Sequence, residues 1–328
     1  MLKLSEGKKA ALERLSTEAG VIEALAIDQR GSLKKMMAGF GELNPEEKIV
    51  DFKEAASEEL TKYASAILLD PEYGLSAAKK RADNSGLLLA YEKTGYDANT
   101  PGRLPDILED WSVHRLKEEG ADAIKFLLYY NPDDDKKINH LKHVFIERLG
   151  SECLGEDIPF FLEIVTYDTE VADDHSPEFA QIKPRKVIES TKEFSKPQYH
   201  VDVLKLEVPV NMNYVEGFSD KEPLYSREEA LGYFKAQSDA TELPFIFLSA
   251  GVTMELFQKT IQFAKEAGST FNGVLCGRAT WRDGVEPYVI KGDEAGREWF
   301  NTQGRQNIET LNSVVEQSAR SWRDKVMK

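Results

Sequence analysis

Cysteine is nearly missing from this 328-residue chain, and histidine is scarce, with two and five residues respectively. Two thiols, Cys153 and Cys276, do not make a disulfide framework, so the expected compartment is the cytoplasm. No apolar run approaches the roughly 18 residues a membrane helix requires, which leaves a soluble globular composition of 41% hydrophobic and 30% charged residues. The stretch from Met1 to Ala10 lacks the contiguous apolar core of a secretory signal. Positive charge is also in deficit, the formal net charge being −15. That balance argues against nucleic acid or an anionic membrane as a general partner. An anionic small molecule would therefore need a local exception built from arginine and backbone N–H groups.

Short apolar runs alternate with helical patterns along the whole chain. The runs predict strands at 22–28, 64–69, 86–91, 122–128, 159–166, 201–207, 244–249 and 272–277. Between them the spacing predicts helices, the clearest beginning at Asn44 as a candidate N-cap with Pro45 in the first turn. Ile49, Phe52, Ala56, Leu60 and Tyr63 follow at intervals of three and four, giving one apolar stripe. Further helices fit 109–119, 138–149, 178–194, 227–238, 253–267 and 306–325. Eight strands close a parallel barrel, so the predicted fold is one (β/α)8 domain, a TIM barrel of α/β class spanning 1–328, rather than a doubly wound sheet. An N-terminal extension over 1–20, with a helix at 6–16, would cover the barrel bottom.

The chemistry starts from ionisable residues inside strands. Lys205 interrupts the apolar alternation Val201–Val208, where burial would disfavour the ammonium. Free lysine near pKa 10.4 is neutral in only about one molecule in 2,500 at pH 7, and lowering it by about 3 units takes roughly 4 kcal/mol of differential solvation. That is the environment a Schiff-base nucleophile needs. Alone the signal is also met by a lysine that reaches water or pairs with nearby Glu207. Lys125 and Glu163 break two further runs, and barrel geometry would place them on the strands preceding that of Lys205, with Asp28 at the end of the first strand. A buried Lys–Glu–Lys ion cluster is the structural alternative to a proton shuttle. After strands seven and eight, Ser249-Ala250-Gly251 and Cys276-Gly277-Arg278 have the small residues that let a phosphate approach backbone N–H groups, although such glycines also serve tight turns.

The segments Leu25–Ser32, Phe161–Glu163, Val203–Glu207, Leu248–Gly251 and Gly277–Ala279 resemble the bacterial class I tagatose-bisphosphate aldolases, and the likeness spans nearly the whole chain. The resemblance implies a metal-independent lyase without cofactor that cleaves D-tagatose 1,6-bisphosphate to dihydroxyacetone phosphate and D-glyceraldehyde 3-phosphate, with loose stereospecificity. It implies Lys205 as nucleophile, Glu163 as general acid/base, Lys125 as charge neighbour and Asp28 as an orienting group. Ser249, Gly251, Gly277 and Arg278 would hold the 1-phosphate, with Gln29 and Arg30 as further candidates for the sugar phosphate. Competing readings keep the imine and change the ketose, to fructose bisphosphate or a sulfonated sugar phosphate, or make the barrel a sugar-phosphate sensor. A dimer is the default oligomer. His140 and His143, at helical spacing, are expected to be solvated surface residues rather than metal ligands. The acidic run Asp133-Asp134-Asp135 is expected to serve a helix N-terminus. The segment Val208–Arg227 reads as a loop or lid over the mouth.

Overall fold

In the computed structural model, which describes residues 1–93, 100–220 and 222–327, eight strands hydrogen-bond in sequence order and close on themselves. They are β1 (Ile22–Ala26), β2 (Ala66–Leu69), β3 (Gly86–Ala90), β4 (Ala123–Tyr130), β5 (Phe160–Thr166), β6 (Val203–Leu206), β7 (Phe245–Leu248) and β8 (Gly273–Cys276). Every pairing is parallel, including β1 with β8, so the sheet has no free edge. Each predicted strand is present. The (β/α)8 expectation stands.

Alternation decides what each strand contributes. Ile22, Ala24 and Ala26 of β1 point into the barrel with Leu68, Leu88 and Phe161, whereas Leu25, Ile67, Leu87 and Ile124 join the larger core under the helices. Extending the inward set by two residues reaches Asp28, Asp70 and Glu92 at the ends of β1, β2 and β3, and includes Lys125, Glu163 and Lys205 of β4, β5 and β6. The position that continues the inward alternation is thus ionisable on six consecutive strands, at staggered levels, since Lys125 is level with Ala90 and Phe161.

The helix Glu6–Arg14, capped by the Ser5 side chain, lies across the opposite end. Its Leu12 and the following Leu15 pack on Trp322, Val326 and the first inward layer, so the expected bottom cover is present. Lys8 reaches in from that helix to Asp202, 2.7 Å away. The helix at Pro45–Leu60 buries Ile49, Phe52, Ala56 and Leu60 as the stripe predicts, but Asn44 makes no side-chain cap bond. Instead the Asn44 N–H is held by Glu42. The expected helix at 138–149 extends over Lys136–Gly155, and that at 306–325 ends at Ser318 before a short 3-10 turn at Trp322–Lys325. Helices at Gly31–Gly39, Leu75–Lys80, Val285–Lys291 and Asp293–Trp299 were not foreseen, because their apolar stripes are short. Among the described residues no helix is long and apolar enough to cross a membrane.

Candidate active site

Parallel register puts Glu163 directly opposite Lys205 on β6 and opposite Leu127 on β4. Its carboxylate is split between two amines: Oε1 lies 2.8 Å from Lys205 Nζ and Oε2 lies 2.7 Å from Lys125 Nζ. All three side chains are at most 11% exposed. The pairing of Lys205 is therefore with Glu163 rather than with Glu207, which Lys183 and the backbone and hydroxyl of Thr166 satisfy. The reason is position: Glu207 follows the last residue of β6, and its carboxylate turns to Lys183 of the helix Pro177–Phe194 and to Thr166 at the end of β5.

Lys125 is the electrostatic centre of the mouth. It donates to Asp28 at 3.0 Å and to Glu92 at 2.5 Å as well as contacting Glu163. Burial alone would drive its amine down, but the three carboxylates outweigh it and hold Lys125 well above the ordinary range. Conversely, burial would raise Asp28 and Glu163, yet the Lys125 and Lys205 charges prevail and hold both carboxyls low. Only Glu92 is raised, since burial outweighs Lys125 and Arg30 there. The arrangement is a chain of carboxylates sharing amines, in which a proton moved from one member is felt by the next.

The two loops after β7 and β8 meet. Ala250 and Gly251 both have positive φ, at 50° and 75°, and a residue with a side chain at Ala250's angles carries strain of roughly 1 to 2 kcal/mol. A Cβ on Gly251 would come within 2.9 Å of the Arg278 guanidinium, and one on Gly277 within 3.3 Å of the Gln29 amide. Glycine at 251 thus allows Arg278 to lie across the loop. Arg278 is exposed and has no ion pair or hydrogen bond from its side chain among the described residues. Ser249 is buried beside Cys276. Gln29 donates to Asp28 at 3.2 Å, and its carbonyl oxygen is buried without a donor among the described residues.

Arg30 differs from the expectation of a sugar-phosphate contact. It is 3% exposed, pairs with Glu72 and donates to the Glu92 carbonyl at 2.8 Å, so its charge is spent bracing the ends of β2 and β3. The turn from Asp28 into the helix at Gly31 swings this side chain behind the mouth. Behind it, Lys53 and Asp70 form a fully buried pair.

Sequence reasoning missed Glu92 and Asp70. Strand periodicity carries the signal for both, since each continues the inward set by two residues from Ala90 and Leu68. The reading stopped where the apolar run ended. Two further expectations need correction. His140 is exposed, but His143 is only one-quarter exposed, bonds the Tyr130 hydroxyl at 3.0 Å and packs among Tyr130, Phe194 and Tyr199. The acidic run serves side chains more than a helix dipole: Asp133 pairs with Arg185 and Lys186, Asp134 with Lys142 and Tyr167, and only Asp135 caps the helix. The segment after β6 holds a 3-10 turn at Met212–Tyr214 and a bridge between Val215 and Tyr225.

Residues 22–283 match the model for the DeoC/LacD family of aldolases. Among curated relatives, the chain is 67% identical over 326 residues to tagatose 1,6-diphosphate aldolase 2 of Enterococcus faecalis, covering 99% of this chain and 98% of that one. It is 56% identical over 324 residues to the tagatose 1,6-diphosphate aldolase of Lactococcus lactis subsp. lactis, covering 98% and 99%. Of solved structures, fructose-bisphosphate aldolase from Plasmodium falciparum superimposes with a TM-score of 0.68 at 15% identity, over 97% of this chain and 98% of that one. A Schiff-base-forming fructose-1,6-bisphosphate aldolase gives 0.57 at 15% identity, over 93% and 98%. Likeness at that identity speaks to the shared barrel.

Proposed function

Because this chain belongs to the DeoC/LacD family of aldolases, we propose that it cleaves D-tagatose 1,6-bisphosphate to dihydroxyacetone phosphate and D-glyceraldehyde 3-phosphate through an imine on Lys205. The observation that carries the reading is the carboxylate of Glu163 within 2.8 Å of the Lys205 amine and simultaneously on Lys125. An amine that attacks a carbonyl must lose a proton, and the carbinolamine that forms must lose water. Glu163 is in contact to take the first proton and to return one to the departing hydroxyl.

With the imine formed, the C4 hydroxyl gives up its proton to the Glu163 carboxylate, the bond between C3 and C4 breaks toward the iminium, and the aldehyde leaves. Glu163 then protonates C3 of the enamine, and water releases dihydroxyacetone phosphate. Lys125 stays charged throughout, holding Asp28 and Glu163 in place, and Asp28 orients the sugar hydroxyls with Gln29. The 1-phosphate lies against the Gly251 and Gly277 loops with Arg278 as its counter-charge, and Ser249 closes the loop from below. Both cysteines are free and buried, which suits a reducing compartment, and we place the enzyme in the cytoplasm.

Borohydride reduction with dihydroxyacetone phosphate, followed by peptide mapping, tests this directly. The adduct is expected on Lys205 and on no other lysine, and Lys205→Met is expected to abolish it. Trapping that persists on that variant would assign the imine to another amine. The ratio of kcat/KM for tagatose and fructose bisphosphates then measures how loosely the pocket reads hydroxyl stereochemistry, a ratio near one indicating loose control.

A further inference from the structure

A bisphosphate brings two dianions into a protein of net charge −15, and the loops after β7 and β8 account for one of them. Arg30, the other arginine that the sequence offered, is buried behind the mouth. We propose that Arg103 is the binding residue for the distal phosphate of the substrate, an inference that rests on the bisphosphate reading above.

The segment carrying Arg103 is tied back to the end of β3: the Lys93 N–H bonds the Asp106 carbonyl at 3.0 Å and Leu108 N–H bonds the Tyr91 carbonyl at 3.1 Å. The Arg103 guanidinium stacks on the ring of Tyr129, 3.4 Å from its centroid, with Tyr167 at 5.7 Å. Tyr129 belongs to the mouth-facing set of β4, two residues beyond half-buried Leu127 and four beyond Lys125. The stack is therefore on the outer lip, about 13 Å of strand above the Lys125 backbone.

Three features mark this arginine as set up for an anion. Among the described residues its side chain has no carboxylate or carbonyl acceptor, and its Nε is buried without a hydrogen-bond partner. The tyrosine takes the face of the guanidinium and leaves its N–H edge unspent, the edge that grips phosphate in a two-pronged fashion. Its backbone is held at φ 42°, outside the ordinary region for a residue with a side chain. Arg278 is the matching cation on the other side. It follows β8, and β4 and β8 are diametrically opposed in an eight-stranded ring, about 15 Å across from strand spacing and tilt. The two guanidinium groups, neither with an ion pair among the described residues, thus belong to opposite sides of the ring, with the Lys205 strand β6 midway between β4 and β8, one for each end of a six-carbon chain bound at C2.

The test uses ligands that cannot form an imine. Hexitol 1,6-bisphosphate and hexitol 1-phosphate are titrated calorimetrically into the wild-type protein, Arg103→Met and Arg103→Lys. Arg103→Met is expected to weaken the bisphosphate by about 10- to 100-fold while leaving the monophosphate within about twofold. Arg103→Lys should recover part of the loss. Equal weakening of both ligands, or none, would overturn the assignment. Borohydride trapping of dihydroxyacetone phosphate, which has no distal phosphate, is expected to proceed normally on Arg103→Met. Absence of trapping in the wild-type protein would sink the imine reading, whereas normal trapping with unchanged bisphosphate preference would sink only the role of Arg103.

Discussion

At the N-terminal end of the barrel the inward positions are Ile22, Ala66, Ala123 and Val203, plugged by Leu12, Leu15 and Trp322. Two to six residues further along the same strands, the inward positions are Asp28, Asp70, Lys125 and Lys205. Each end also contains a buried lysine–carboxylate contact, and the two contacts are wired differently. At the bottom Lys8 and Asp202 form a single pair: Asp202 Oδ2 accepts from both the Lys8 amine and the Phe160 N–H, and burial raises its carboxyl despite Lys8. At the mouth Glu163 serves two amines and is held low by both. A single pair holds a helix in place. A shared carboxylate touches a second amine besides its first, so a proton given up on one side can be answered from the other, and that is what a proton shuttle needs.

The sharpest way to break this comparison is to remove one carboxylate charge at each end. Glu163→Gln is expected to lower kcat by about 10²- to 10⁴-fold with the barrel still folded. Asp202→Asn is expected to leave kcat near the wild-type value and to cost about 3–5 kcal/mol of stability, read from denaturant midpoints, because Lys8 is left buried and unpaired. If both variants lost only stability, the mouth would be no more than a second structural ion cluster.

Acid sharpens the contrast by a smaller amount. The folded pKa of Asp28 and of Glu163 lies below the unfolded one, so their contribution is complete above pH 4 to 5 and is lost as pH falls through the lowered values. Asp28→Asn should therefore flatten the dependence of stability on pH below about pH 4. A slope as steep as that of the wild-type protein would remove Asp28 from the network.

The smallest effect is expected at the bottom. Burial, with help from Arg320, pushes the Lys325 amine down to about 7, where it sits over the Phe245 ring and donates to the Leu243 carbonyl. Its folded pKa is below the unfolded one, so protonation opposes folding and stability should rise with pH between about 7 and 10. Lys325→Met is expected to reduce that rise and to stabilise the protein at pH 6 by about 1 kcal/mol, discounted for partial exposure. Urea midpoints at pH 6 and pH 9 measure both effects.

The barrel was legible because eight apolar runs of strand length leave little choice of architecture, and because period-two alternation fixes which side chain points inward. The same rule made Lys205, Glu163, Lys125 and Asp28 visible, each an ionisable residue where an apolar one would pack better. It stopped short at Glu92 and Asp70, which continue the alternation beyond the end of the apolar run. It failed at Arg30, whose orientation depends on the turn after Asp28, and at Arg103, whose loop has no periodicity to read. His143 looked like a surface residue because its helix neighbours are polar, yet Tyr130, Phe194 and Tyr199 approach it from other elements.

What the sequence determined by itself is the set of strands, their facing and the presence of charged residues in a layer that has no use for them as packing. What only the tertiary structure decided is who shares a proton with whom: that Glu163 stands between two lysines, that Lys125 answers three carboxylates and that Arg103 answers none among the described residues. Periodicity is a property of a few neighbouring residues along the chain. Charge sharing at the mouth depends on ångström distances between residues as many as 97 positions apart, and only closure of the ring sets those.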